Sequence, residues 1–226
     1  MATVLMMMIL CVVSTMVGTE ARPAQQVRLR GLQVSPPGNT SLSASEYEAL
    51  LASMGGDTTT QVTSLYRTSV DGTTYGDLLD NVGDAKPLVV VVRKDKYVFG
   101  VYVSAGIQLP DDPTSEHWYG SDVWWFSLAG HFPQPTKIDI PPWEQWMRVA
   151  GRKANAVEAN MYIGRYLVLG EQRGWPAAGI RSCEQYTDSD YLPEGYTGVR
   201  GEFADALMGG SRNFMADEIE VLRVVQ

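Results

Sequence analysis

Cys183 is the side chain with the most direct chemistry open to it, because an exposed thiolate with a lowered pKa scavenges oxidants. Arg181 falls two residues earlier, on the same face of any strand, and Glu184 falls on the other face. A lone cysteine in a strand is expected as a small core hydrophobe. The second cysteine, Cys11, lies in an apolar N-terminal run. No Cys-x-x-Cys pair or Cys/His cluster exists for a sulfur-built zinc site. His117 and His131 have no second histidine at metal-binding spacing and no nucleophile or carboxylate placed by spacing to work with them. They are expected as loop or rim residues. Asp111, Asp112 and Glu116 gather near Pro110 and Pro113. Calcium asks for about six or more oxygens in a defined loop, and the glycine that turns such a loop is missing, so a solvated acidic loop is expected. Gly209-Gly210-Ser211-Arg212 lacks the Lys-Ser/Thr of a phosphate cradle and reads as a turn before the last strand. Asn39-Thr40-Ser41 is a glycosylation acceptor, relevant only in the secretory pathway. Trp118, Trp124, Trp125, Trp143, Trp146 and Trp175 stack sugars if exposed and fill a core if buried, the commoner fate for aromatic residues in strands. No catalytic, metal or cofactor constellation is read from this inventory.

The elements that must position these residues are short. The chain has 226 residues, 45% of them hydrophobic, and a net charge of −8. That length suits one domain, with enough surface to bury for a core without staples. The acidic balance argues against coating nucleic acid or anionic lipid, both of which require an excess of Lys and Arg. Residues 4–17 form an apolar run too short for a transmembrane helix of about 20 residues. Residues 1–21 read as a cleavable signal peptide, with Thr19-Glu20-Ala21 at the cut, although the n-region carries no Lys or Arg. Residues 22–42, broken by Pro23, Pro36, Pro37 and Gly38, read as a linker, and residues 43–226 as the domain.

Ser43-Ala44-Ser45-Glu46 is a capping box opening a helix with Tyr47, Leu50, Leu51 and Met54, which stops at Gly55-Gly56. Residues 63–69 read as a strand ended by Asp71-Gly72, and Thr73 or Thr74 caps a short helix through Leu78 and Leu79. Residues 88–92 are a β-branched run without alternation, expected to be buried on both faces. Asp95-Lys96 suits a two-residue hairpin turn into a strand over 97–104. Further strands are expected over 122–128, as a pair or one longer strand within 159–169, over 179–186 and within 213–225. Residues 105–120 and 129–147 read as irregular. Many short strands between turn signals predict an α+β, mainly β fold: a two-sheet antiparallel β-sandwich with a few short flanking helices.

The succession Leu65-Tyr66 then Ser69-Val70-Asp71-Gly72, the hairpin ending Phe99-Gly100-Val101-Tyr102, Trp125-Phe126-Ser127-Leu128, Gly164 before an apolar strand, Cys183, and Glu218-Ile219-Glu220-Val221 resembles the TLDc domain of the oxidation-resistance proteins. The likeness covers about residues 43–225. One departure is plain: the family usually has three or more glycines where only Gly164 stands, followed by Arg165. The resemblance implies a sandwich without known catalytic residues. It also implies a role in oxidative-stress resistance through a protein partner, the vacuolar proton-pumping ATPase, approached from its cytosolic face. On that reading the signature positions are mainly structural and the chain is a non-catalytic, monomeric interaction module without cofactors. The alternative is a secreted, lectin-like β-sandwich using surface tryptophans. A hydrolase is the weakest reading, for want of a nucleophile–base pair. Residence is secretory or extracellular if the signal is genuine, otherwise cytoplasmic.

Overall fold

The computed structural model describes residues 35–225 apart from 57–58, 156 and 173–174. The signal-peptide reading of residues 1–21 therefore lies outside the described residues. In chain order, helix α1 (Ala44–Ser53) precedes β1 (Gln61–Arg67), α2 (Tyr75–Val82), β2 (Leu88–Lys94), β3 (Tyr97–Val103), β4 (Glu116–Gly120), β5 (Val123–Ala129), β6 (Thr136–Asp139) and β7 (Trp146–Ala150). The strands β8 (Met161–Ile163), β9 (Leu167–Leu169), β10 (Glu171–Gln172), β11 (Trp175–Pro176) and β12 (Ser182–Gln185) follow. The last are β13 (Val199–Arg200), β14 (Ala206–Leu207), β15 (Asn213–Met215) and β16 (Glu218–Val225).

Two six-stranded antiparallel sheets form the sandwich, ordered β1-β16-β2-β3-β5-β6 and β15-β12-β9-β8-β7-β4. The valine run of β2 is buried on both faces, as its lack of alternation predicts. Leu88, Val90 and Val92 join the core between the sheets, while Val89 and Val91 pack with Tyr47, Leu50 and Leu51 of α1 on the outer face of the first sheet. Helix α1 opens on the expected box: the Glu46 N–H donates to Ser43 Oγ, and the Ser43 N–H donates to Glu46 Oε2. The cap of α2 is Thr74, reciprocated by Asp77. The Tyr75 hydroxyl donates to the Ala150 carbonyl, which ties α2 to the second sheet.

Three regions depart from the sequence expectation. Residues 105–120 contain β4, an edge strand that among the described residues pairs only with β7 and whose half-exposed polar and aromatic side chains give no apolar alternation. Residues 129–147 contain β6 and the start of β7. The stretch 213–225 is two strands in different sheets, because Ala216 and Asp217 carry the chain across from β15 to β16. The segment 159–169 is a strand pair, and 182–185 is the strand within the wider span expected there. At the β2–β3 turn the positive φ, 52°, falls on Asp95, the first position. The Asp95 N–H donates to Asp217, so a side chain from the crossing supplies what a glycine would have made easier. Among the described residues no helix is long and apolar enough to cross a membrane.

Candidate functional site

The signature positions are spread through the framework of the two sheets. Leu65 is the extra residue of a bulge in β1, where the register against β16 slips between Ser64 and Tyr66. The Tyr66 hydroxyl donates to the Gly72 carbonyl, and Asp71 accepts from the Arg67 N–H. Gly72 sits at φ 102°, and a Cβ there would meet the capping carboxylate of Asp77 at 2.3 Å. Glu218 accepts from Thr68 Oγ1 and the Ser69 N–H and pairs with Arg67 at 3.5 Å. Burial works against its charge, but these donors outweigh it and hold its carboxyl below the usual range. Glu220 is fully buried and accepts from both the N–H and the hydroxyl of Ser41. Arg93 reaches the same place, donating to the Ser41 carbonyl and, by both terminal nitrogens, to Glu46. Residues 41–46 are thereby laced to the centre of the first sheet, and Leu42 is buried with them. Phe99 lies in the inter-sheet core, and the Phe126 ring lies over Gly100. Ser127 is buried.

The glycine-poor turn between β8 and β9 is built without its missing glycines. Gly164 and Arg165 both take positive φ, 53° and 59°. The Gly164 N–H donates to the Trp146 carbonyl, and Arg165 pairs with the buried Glu144 at 3.0 Å. An ion pair thus holds a residue in a backbone region that favours glycine.

Cys183 is buried, and its thiol donates to backbone carbonyls of Ile180 and Arg181. Burial pushes its pKa far up, so the packing role expected for it fits and a scavenging thiolate does not. Iodoacetamide should label the native chain at Cys183 only at the rate of unfolding, so labelling should rise in step with urea denaturation; prompt native labelling would overturn this. His117 is a rim residue beside the Gln108 carbonyl. His131 is not a rim residue: it is fully buried, stacked on Tyr97 at 4.4 Å and facing Tyr196 and Phe99. Spacing could not reveal this, because the rings come from β3 and from the loop before β13. Asp112 closes a turn by accepting from Thr114, while Glu116 turns to Arg148, so the acidic trio does not converge. Among the described residues no group of three or more His, Cys, Asp or Glu could hold a metal. Gly209 to Arg212 is a turn, with the Phe214 ring packed against Gly209 and Arg212 paired with Glu184.

The tryptophans divide. Trp125 is fully buried, and Trp124 stacks on Tyr102 at 5.2 Å with Lys137 4.9 Å from its centroid. Trp124 and Tyr102 line a cleft of about 420 Å³ with Asp122, Met54, Thr60 and Val224. Trp118, Trp146, Arg148 and Tyr162 occupy the outer face of the second sheet, because they alternate with the core residues Met147, Val149, Met161 and Ile163. The register sets Trp118 opposite Arg148 and Arg148 opposite Tyr162. The guanidinium sits 4.9 Å from both ring centroids, and Trp118 and Trp146 lie 4.9 Å apart. Glu116 accepts from Trp118 Nε1 and from Arg148, and Glu158 accepts from Arg148 and the Tyr162 hydroxyl. Burial opposes the charge on Arg148, yet the two carboxylates keep its pKa above the ordinary range. Tyr162 is pushed up to about 12 by burial and by Glu158. Trp118 remains 53% exposed and Trp143, in the turn before β7, 72% exposed. A cation clamped between aromatic faces on an open sheet is rigid before anything binds, and Trp, Tyr and Arg are the residues that dominate binding energy at interfaces. The tryptophans of this face were legible in sequence; Arg148, Tyr162 and Glu158 were not, because strand register alone brings them together. A family model of the TLDc domain matches residues 38–225. No curated protein matches the chain.

Proposed function

We propose, because the chain belongs to the TLDc domain family of oxidation-resistance-type domains, that it is a non-catalytic interaction module acting in oxidative-stress resistance by association with the vacuolar proton-pumping ATPase. The observation that carries the interaction role is the face built on Trp118, Trp146, Arg148 and Tyr162, preassembled and half open to solvent. Protection on this reading comes from the partner, since Cys183 is shut away from oxidants. The chain is expected to co-purify with the pump, and Trp118→Ala to weaken that association by roughly 30-fold, the loss of an interface hot spot of about 2 kcal/mol. Failure of the wild-type chain to co-purify would sink the assignment to the pump.

A second reading is favoured by Trp118 and Trp143, which are exposed in the way sugar-stacking rings are. A lectin-like protein would act outside the cytosol, so compartment separates the two. The mature N-terminus, read by mass spectrometry from native cells, decides it. A start at Met1 leaves the cytosolic face of the pump within reach. A start at Arg22 removes it and hands the tryptophans to a lumenal or extracellular ligand.

A further inference from the structure

Phe203 is 94% exposed, at the tip of the five-residue loop that joins β13 to β14. A single exposed apolar side chain is ordinary; the backbone beneath this one is not. Phe203 and Ala204 take φ of 57° and 63° in succession, a left-handed region that costs any residue with a Cβ and persists where the surroundings over-determine it. The surroundings here are specific. The Gly201 N–H donates to the Asp205 carbonyl at 2.8 Å. The Ala204 carbonyl accepts from Arg200 at 3.1 Å and also from the Ser189 hydroxyl. The loop is rooted by Ala206, Leu207 and Met208, all buried. The chain therefore holds an unfavourable conformation whose visible result is to present one aromatic ring to solvent.

The charge around that ring is predominantly negative. Glu202 and Asp205 flank it in sequence, and Asp188, Asp190 and Glu194 lie in the neighbouring segment that Ser189 ties to the loop. Against these stand Arg200, occupied by Ser189, the Ala204 carbonyl and the ring of Tyr196, and Arg212, which feels the charge of Asp205 but is paired with Glu184. An acidic collar is repelled by anionic lipid and by nucleic acid phosphates. It is complementary to an apolar pocket bordered by Lys and Arg on a protein.

We propose that Phe203 is a preformed anchor that inserts into an apolar pocket with a basic rim on a partner protein. The clamped loop spares binding the cost of ordering it. The proposal rests on the reading of the chain as an interaction module, not on the identity of the pump.

The test uses the full chain in its native cells with the photoreactive residue p-benzoylphenylalanine at position 203, and at position 70 as a control, since Val70 is also well exposed. Cross-links mapped by mass spectrometry should fall, from position 203 alone, in one protein, at an apolar cavity flanked by Lys or Arg. Joint Glu202→Lys and Asp205→Lys substitution should cut the yield about tenfold, as expected for a reversed rim. Excess unlabelled wild-type chain should compete. Phe203→Gly, which relieves the backbone and should melt no lower than wild type, should not. Labelling no stronger than at position 70, labelling of lipid, a pocket with a neutral or acidic rim, or full competition by Phe203→Gly would each overturn the anchor. Capture of another protein at such a pocket supports the anchor while counting against the pump; no capture by a chain that still co-purifies with the pump overturns the anchor alone.

Discussion

Replacing Gly100 with alanine is expected to destabilise the protein by about 3 kcal/mol or more, at the top of the range for overpacking a core. A Cβ at this position would lie 2.1 Å from the Val90 carbonyl oxygen and 2.5 Å from Cζ of Phe126. Neither neighbour yields cheaply. Val90 belongs to the ladder in which β2 lies between β16 and β3, and Phe126 is fully buried beneath α1. For a domain of this size the melting temperature should fall by roughly 6–12 °C. Phe126→Leu in the same chain should recover the part of the loss that comes from the ring and leave the part that comes from the carbonyl, so the two changes should couple in a double-mutant cycle. An unchanged melting temperature in Gly100→Ala would mean that strands β2 and β3 lie farther apart at Gly100 than a 2.1 Å approach of a Cβ to the Val90 carbonyl requires.

The second large effect is a dependence of stability on acid. His131 is fully buried among aromatic rings, neither ring nitrogen has a hydrogen-bond partner of normal geometry among the described residues, and burial lowers its pKa to about 4. The backbone of Met208 opposes that fall only in part. The unfolded chain takes up the proton near the ordinary value of about 6.5, whereas the folded chain waits until about 4. Between those values the unfolded state holds more protons, so stability is complete above about pH 6.5 and declines as the pH falls. The full loss is about 3 kcal/mol, of which about 2 kcal/mol should be gone by pH 5. Glu46 and Glu218 are held below the ordinary carboxylate range, so they lose their own contributions as the pH falls through and below the ordinary value of about 4.3, mostly below pH 5. Urea melts at pH 7, 6 and 5 should show the decline in the wild type and a flat line in His131→Phe. The same slope in both proteins would place the acid-sensitive group elsewhere.

Local signals carried much of the fold in the sequence. The capping box at Ser43, the valine run of β2 and the Asp71-Gly72 break each act within a few residues, and each is where its chemistry placed it. The failures share a cause. Strand β4 is defined by its pairing with β7 and carries no stripe of its own, so only the partner reveals it. Ala216 and Asp217 cross between sheets without a glycine or proline to mark the break. The aromatic face depends on the register that sets Trp118 against Arg148 and Arg148 against Tyr162, and no spacing rule connects those positions. His131 reads as a rim residue in sequence because the rings that enclose it come from distant segments. Phe203 lay in a stretch with no periodicity, and only backbone dihedral angles mark it.

The crossing at Ala216 and Asp217 bears on the order of events at the ribosome. Strand β16, almost the last segment described, fills the slot between β1, one of the first, and β2. Until residues 218–225 emerge from the exit tunnel, β1 has no neighbour in its sheet and β2 keeps one bare edge, both of them invitations to pair with other chains. However early β1 and β2 emerge, the first sheet therefore cannot close until residues 218–225 are free to pair. A premature stop anywhere before Glu218 deletes the keystone of the sheet rather than a tail, so its cellular consequence is expected to be insolubility and degradation, not a shortened protein with partial function.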